Sequence, residues 1–272
     1  MRSVVRESVI EKRNVLRTAG IAATLAILWL LIWGGELWRA QRAYIRAQGQ
    51  MERGLHALAV DTLDDFRAAM VDRPERCKLL LAAYVQTRRM DRIEWAAQAC
   101  FDNGNEIIEV PIALAIHHEL TGRVDEGVQI LSAATQKFGK GPEIYAALAQ
   151  LLKRQKRDAS LAFKLAAERA GDNLQLILDA AIYLGSVNQW AEAKPLADAL
   201  KVKKIDNPEV KLFLARVFLK SGDSTSSRVL YADAMALAGS KPEVLAALTK
   251  EYGDVIASAN GTTPPVGTVQ KR

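Results

Sequence analysis

The sequence predicts an all-α fold, a solenoid of helical hairpins that follows a single N-terminal transmembrane helix. Three observations predict it. Leu80, Leu114, Leu148, Leu214 and Leu248 recur at steps of 34, 34, 66 and 34 residues, and Ala180 fills the missing rung. Four prospective helices open on Pro-Glu, at Pro74, Pro142, Pro208 and Pro242. Ala19 to Gly35 runs seventeen residues without a charge. Self-similarity at this period marks hairpins that cannot bury an apolar face alone and therefore stack on their neighbours.

Residues 1–18 form a basic N-terminal arm carrying Arg2, Arg6, Lys12, Arg13 and Arg17. Residues 19–35 form the transmembrane helix, whose reach of about 26 Å lies near the lower limit for a bilayer core. Arg17 and Glu36 snorkel outward at its two ends. Trp29, Trp33 and Trp38 gather at its C-terminal end, as aromatic side chains do at a membrane interface. With Arg17 they are the expected anchor residues. A cleaved signal peptide is the competing reading, but tryptophans stand where a small-x-small cleavage site is needed. Five basic residues precede the span and four (Arg39, Arg42, Arg46, Arg53) follow it. That balance favours an N-terminus in the cytoplasm and repeats in the periplasm of a bacterium.

Residues 36–73 read as two membrane-proximal helices, Glu36 to about Arg53 and Leu55 to Met70. Counting back 34 residues from Pro74 lands on Ala40 and puts Gly54 at a turn, which makes this stretch a degenerate first repeat. Residues 74–257 hold six units, starting at Pro74, Ile108, Pro142, Leu174, Pro208 and Pro242, the last with a first helix only. Proline suits the first helical position because its missing N–H would be unpaired there. The glutamate beside it is favoured by the helix dipole. Behind the rung come Ala115, Ala149, Ala181 and Ala215, small enough for two helices to approach closely. One turn further stand Tyr84, His118, Leu152, Leu184, Phe218 and Tyr252 on the same face. Gly122, Asn188 and Gly222 suit the left-handed conformation that ends a helix. A small residue follows early in three of the second helices, at Gly127, Ala193 and Ser227. Residues 258–272, with Gly261, Pro264, Pro265 and Gly267, read as a disordered tail.

The pattern resembles the tetratricopeptide repeat family over about residues 74 to 257. Trp190-Ala191-Glu192-Ala193 is similar to the family's opening of the second helix, and Leu114-Ala115 and Leu148-Ala149 to its Leu-Gly/Ala pair. Three departures stand out: the unit from Pro142 is two residues short, Lys156 replaces the turn glycine, and Leu81 replaces a small residue. The resemblance implies a concave groove, lined by first helices, that holds an extended peptide or a partner helix. Carried onto this chain, the groove consists of Lys78, Ile112, Ile116, Glu119, Gln150, Lys153, Arg154, Leu178, Ile182, Arg216, Leu219, Lys220 and Lys250. It joins an apolar floor to a basic stripe, which suits an acidic amphipathic segment; the plain alternative is a solvated basic face. The family's carboxylate clamp is missing, since Ala82 stands where its first asparagine belongs.

Composition narrows the function. Half of the 272 residues are apolar, enough for a core. The formal charge is +6, yet residues 1–56 hold nine Lys/Arg against four Asp/Glu, and the remainder holds 28 against 27. The excess surrounds the apolar segment, where anionic headgroups are the expected counter-charge. No basic face with interleaved aromatics is visible, so nucleic acid is not an expected partner. In His117-His118-Glu119 the adjacent histidines point about 100° apart, whereas the metalloprotease helix needs two on one face. His118 stands on the packing rung, and His56 stands alone. No phosphate loop, nucleophile elbow or spaced Cys/His quartet occurs, so no enzyme, cofactor, metal or small-molecule substrate is expected. Cys77 and Cys100 lie near adjoining ends of one antiparallel hairpin. They are bridged if the domain is exported, and otherwise serve as two small buried hydrophobes. The expected function is a membrane-anchored scaffold or assembly factor at the bacterial inner membrane, binding protein partners in its groove. The alternative is an accessory structural subunit of a larger integral membrane complex, recruited through the transmembrane helix.

Overall fold

The computed structural model describes residues 34–239 and Gly253. Within the expected transmembrane segment only Gly34 and Gly35 are among them. Arg17, Trp29, Trp33, Lys250 and the tail 258–272 lie outside, as does the repeat from Pro242 apart from Gly253. No helix of the described residues is long and apolar enough to cross a membrane.

The described residues are helical, without strands. Helix α1 covers residues 34–52. Next come α2 (His56–Asp64), α3 (Arg67–Met70), α4 (Pro74–Gln86), α5 (Met90–Asp102), α6 (Glu109–Leu120) and α7 (Val124–Phe138). Then follow α8 (Pro142–Arg154), α9 (Ser160–Arg169), α10 (Leu174–Ser186), α11 (Trp190–Lys201), α12 (Pro208–Lys220) and α13 (Ser224–Ala238). The first helices of the five described units start within one residue of the expected positions, with proline in the first turn of α4, α8 and α12. Asn207 and Asp223 cap α12 and α13, accepting from main-chain N–H groups of Val210 at 3.3 Å and Ser226 at 3.0 Å. The N–H of Ser226 holds the Asp223 carboxyl below its ordinary range.

The turns are more regular than the leucines. Gly54, Arg88, Gly122, Lys156, Asn188 and Gly222 all have positive φ, from 54° to 86°. At each, two main-chain bonds close the helix end. In the α4–α5 turn Arg89 N–H donates to Tyr84 C=O at 3.0 Å and Arg88 N–H to Val85 C=O at 3.1 Å. The same pair recurs at Gly122-Arg123, Lys156-Arg157, Asn188-Gln189 and Gly222-Asp223. This double bond pattern satisfies carbonyls that the helix leaves open. It explains why Lys156 replaces a glycine without loss of the turn: the hydrogen bonds hold the lysine in the left-handed region.

One helix differs from expectation. The stretch from Leu55 to Met70 is two helices, because the chain breaks at Asp65-Phe66, where Phe66 has φ −123° and ψ 19°. The break turns Met70 fully inward and leaves the Ala69 carbonyl to accept from Arg76 Nη1 at 2.9 Å.

The described residues divide into two compact units, on either side of the boundary between residues 130 and 131. In the first, Ala40 and Ala47 of α1 pack with Leu63, Met70, Leu80, Tyr84 and Ile93 in one core. Three polar links tie α1 and α2 into it. Arg76 Nη2 donates to Gln41 Oε1 at 2.9 Å, Thr62 Oγ1 donates to Gln50 Oε1 at 3.1 Å, and the Tyr84 hydroxyl donates to the Asp64 carboxylate. Burial, reinforced by Asp64, raises the Tyr84 pKa. Cys77 and Cys100 form a disulfide across α4 and α5, with Cα atoms 6.0 Å apart and both residues fully buried. In the second unit the hairpins share side chains layer by layer. Ala149, Phe163 and Tyr183 join α8, α9 and α10, with the two rings stacked at 4.5 Å. Leu184, Ala197, Leu214, Phe218 and Tyr231 join α10 to α13. The small residues behind the rung, Ala149, Ala181 and Ala215, are fully buried. Leu80 and Leu214 are closed off from solvent, whereas Leu114 and Leu148 are only partly buried.

Candidate partner-binding faces

The expected groove residues lie on first helices, and none of those described belongs to the buried class. In the first unit α4 packs against α6. On α6, Glu109, Ile112, Ile116 and Glu119 follow the i, i+3, i+7, i+10 spacing of one helix face. The two isoleucines are half-buried, so each offers an apolar edge. Lys78, exposed on α4, reaches the Glu109 carboxylate at 2.6 Å. The lysine expected to face a partner is thus already paired across two repeats. Register could have signalled this, because Glu109 occupies the same place in its unit as Glu75, Glu143 and Glu209.

In the second unit Lys153 and Arg154 are exposed on α8, beside half-buried Gln150. Helix α10 presents Leu178, half-buried, and Ile182, 40 % exposed. Helix α12 presents Arg216 and Lys220, exposed, beside half-buried Leu219. Among the described residues neither Lys153 nor Lys220 has an ion pair. Lys211, one turn into α12, is bound to Asp233 at 2.8 Å. These helices can therefore offer exposed cations and an exposed isoleucine, both of which gain by contact with an anionic amphipathic surface.

The histidine pair is packed into the interior. His117 and His118 are 5 % and 9 % exposed, with rings edge to face at 5.6 Å. Arg123 Nη2 lies 3.2 Å from His117 Nε2, and Glu94 lies 3.6 Å from it. His118 Nδ1 is buried without a hydrogen bond, 3.5 Å from Glu126. Burial lowers the His118 pKa, and Arg123 adds to the effect. No group of three metal-ligating side chains occurs among the described residues.

At the start of α1, Trp38 is 56 % exposed and the Arg42 guanidinium lies 3.6 Å from its ring centroid. Composition does not single out what lies next to it. Arg39, Arg42 and Arg46 on α1 line a cleft with Asp61 of α2 and Asp65 at the end of that helix.

Comparison with solved structures identifies the fold. The pilF protein of Pseudomonas aeruginosa matches 82 % of this chain and 99 % of its own, with TM-score 0.55 and 14 % identity. The C-terminal part of a TPR repeat-containing protein of Cytophaga hutchinsonii matches 80 % of this chain and 84 % of its own, with TM-score 0.50 and 13 % identity. The chain has the tetratricopeptide-repeat fold. No family model matches the sequence, and no curated protein matches it. In the tetratricopeptide-repeat frame the groove candidates of α4, α6, α8, α10 and α12 belong to first helices, the disulfide closes one hairpin, and α1–α2 carries the same left-handed turn as the units that follow.

Proposed function

We propose that this protein is a membrane-anchored tetratricopeptide-repeat scaffold or assembly factor of the bacterial inner membrane, with its repeats in the periplasm. The observation that carries the binding role is the set of solvent-facing side chains on the first helices of the second unit. Among the described residues Lys153 and Lys220 have no ion pair, and Ile182 is exposed beside Leu178. Cations without partners next to apolar side chains favour an acidic amphipathic protein segment. The anchor rests on the uncharged stretch from Ala19 to Gly35 with Trp29, Trp33 and Trp38 at its end and Arg17 before it. The Cys77–Cys100 disulfide supports an exported domain, because oxidising compartments preserve such bonds and the cytosol reduces them.

Crosslinking in native membranes, followed by identification of the attached protein, tests the scaffold reading. Reversing charge at Lys153, Arg154 and Lys220 to glutamate should abolish co-purification of that protein and leave the thermal midpoint unchanged. Undiminished co-purification removes the basic face from the account. Alkaline carbonate extraction tests the anchor: the chain should remain with the membrane pellet. Protease added to spheroplasts should digest the repeats, and full protection would reverse the orientation.

A further inference from the structure

The α1–α2 hairpin carries two rows of charge of opposite sign. Arg39, Arg42 and Arg46 follow one another at steps of three and four on α1, so their guanidinium groups share one face. Asp61 on α2 and Asp65 at its C-terminal cap, four residues apart, form the facing row. All five are exposed, and no ion pair joins the rows among the described residues. Between them lies a cleft of about 390 Å³ whose other walls include Trp38, Leu58 and Phe66. Trp38 and Leu58 are 56 % and 52 % exposed, an unusual outlay of large apolar surface beside five charges. A second cleft, of about 720 Å³, adjoins it and shares Arg39, Asp65 and Phe66.

Position decides what such a cleft meets. The described part of α1, residues 34–52, overlaps the last two residues of the uncharged stretch and runs on from it. At 1.5 Å per residue, Trp38 stands about 4–5 Å beyond Gly35, and Arg42 about 10 Å beyond it. The headgroup layer on each side of a bilayer is about 5–8 Å deep. Trp38 and Arg39 therefore fall at the level of phosphates and amines, and Arg42, one turn further out, stands just beyond that layer with a side chain long enough to reach back into it.

We propose that this cleft binds the headgroup of a phospholipid bearing a primary ammonium, namely phosphatidylethanolamine. Its phosphate takes Arg39 and Arg42, its ammonium takes Asp61 and Asp65, and its glycerol and first acyl carbons lie on Trp38, Leu58 and Phe66. The assignment rests on the membrane-anchored reading above. A purely anionic headgroup satisfies the arginines but brings its phosphate against two unpaired carboxylates. A quaternary ammonium cannot donate hydrogen bonds to them. An acidic peptide meets the same carboxylates as like charges.

The test uses the full chain, purified in mild detergent, stripped of lipid and offered phosphatidylethanolamine, phosphatidylglycerol and phosphatidylcholine in equal amounts. Native mass spectrometry then reads the retained lipid. Phosphatidylethanolamine should be retained about tenfold over the others, the preference expected from one charge-assisted hydrogen bond. Asp61→Asn with Asp65→Asn should erase that preference. Arg39→Gln with Arg42→Gln should abolish retention, and Lys153→Gln with Lys220→Gln should change nothing. Equal retention of phosphatidylglycerol, retention of no lipid, or a preference indifferent to both cleft variants would overturn the proposal. Carbonate extraction separates this from the anchor: a chain that stays in the membrane yet shows no preference loses only the headgroup site.

Discussion

Three residues that are not glycine occupy left-handed turn positions, Arg88, Lys156 and Asn188. A side chain with a Cβ costs roughly 1–2 kcal/mol in that region, while glycine forfeits up to about 1 kcal/mol of chain entropy on folding. Lys156→Gly should therefore stabilise the protein by about 0.5–1 kcal/mol in urea titrations. The reverse change, Gly122→Ala, should cost about 1 kcal/mol, since a Cβ there meets open space and the penalty is conformational alone. His118 makes a second residue-level prediction. Burial and Arg123 lower its folded pKa, while Glu126 and Glu94 act in the opposite sense and His117 adds a smaller lowering. A lowered folded pKa means the unfolded chain takes the proton first. Stability is thus level above about pH 7.5 and falls as pH drops through about 6.5 toward the folded value. His118→Leu, which installs the residue found at Leu152 and Leu184, should flatten this decline and add about 1 kcal/mol by removing an unsatisfied buried nitrogen. Urea midpoints at about pH 7.5 and 5.5, on either side of the ordinary histidine value, measure both effects.

At the scale of elements, the α4–α5 hairpin is fastened covalently and α1 is tied to α4 through one buried arginine. The Cys77–Cys100 bridge spans 23 residues of sequence, and closing a loop of that size in the unfolded chain contributes about 3 kcal/mol. Cys77→Ala with Cys100→Ala should lose about that much, and the folded wild-type protein should show no alkylated thiol unless it is first reduced. Arg76, 4 % exposed, joins Ala69, Asp72 and Gln41. Arg76→Met should cost about 2 kcal/mol by leaving acceptors unpaired in the core. Arg89→Met, on an exposed side chain, should stay within about 0.5 kcal/mol. Hydrogen exchange should then show α1 losing protection in Arg76→Met before α4 does. Because Ala40, Ala43 and Ala47 are buried, a cut at residue 56 separates α1 from its own core.

At the scale of the whole molecule, the 34-residue period specifies the helical hairpins because each carries its signals locally. Proline opens three of the first helices, an alanine behind the rung lets a neighbour approach in four, and two main-chain bonds close all five. Such features depend on residues a few places apart, so the first helices begin within one residue of where the sequence puts them. Pairings between repeats are another matter. Lys78 reads as a groove cation in the sequence and is instead bound to Glu109; whether two such residues meet depends on how far successive hairpins are offset. The break at Asp65-Phe66 is equally invisible there, since no proline or glycine marks it. It follows from Met70 and Arg76 seeking the core together. For the same reason, Arg39, Arg42 and Arg46 amount in the sequence to a charge excess beside an apolar stretch. Only the folded hairpin sets Asp61 and Asp65 opposite them.

By itself, the sequence determined the helical-repeat fold, the starts of the first helices, the turn positions other than Arg88 and the apolar stretch that precedes them. These are written in short-range patterns of size, polarity and backbone preference. Only the tertiary structure decided which charges are already paired, which cysteines meet, how α1 is locked to the repeats and where a cleft of mixed charge opens. Those outcomes depend on distances between residues far apart in the chain, and such distances exist only after the hairpins have packed.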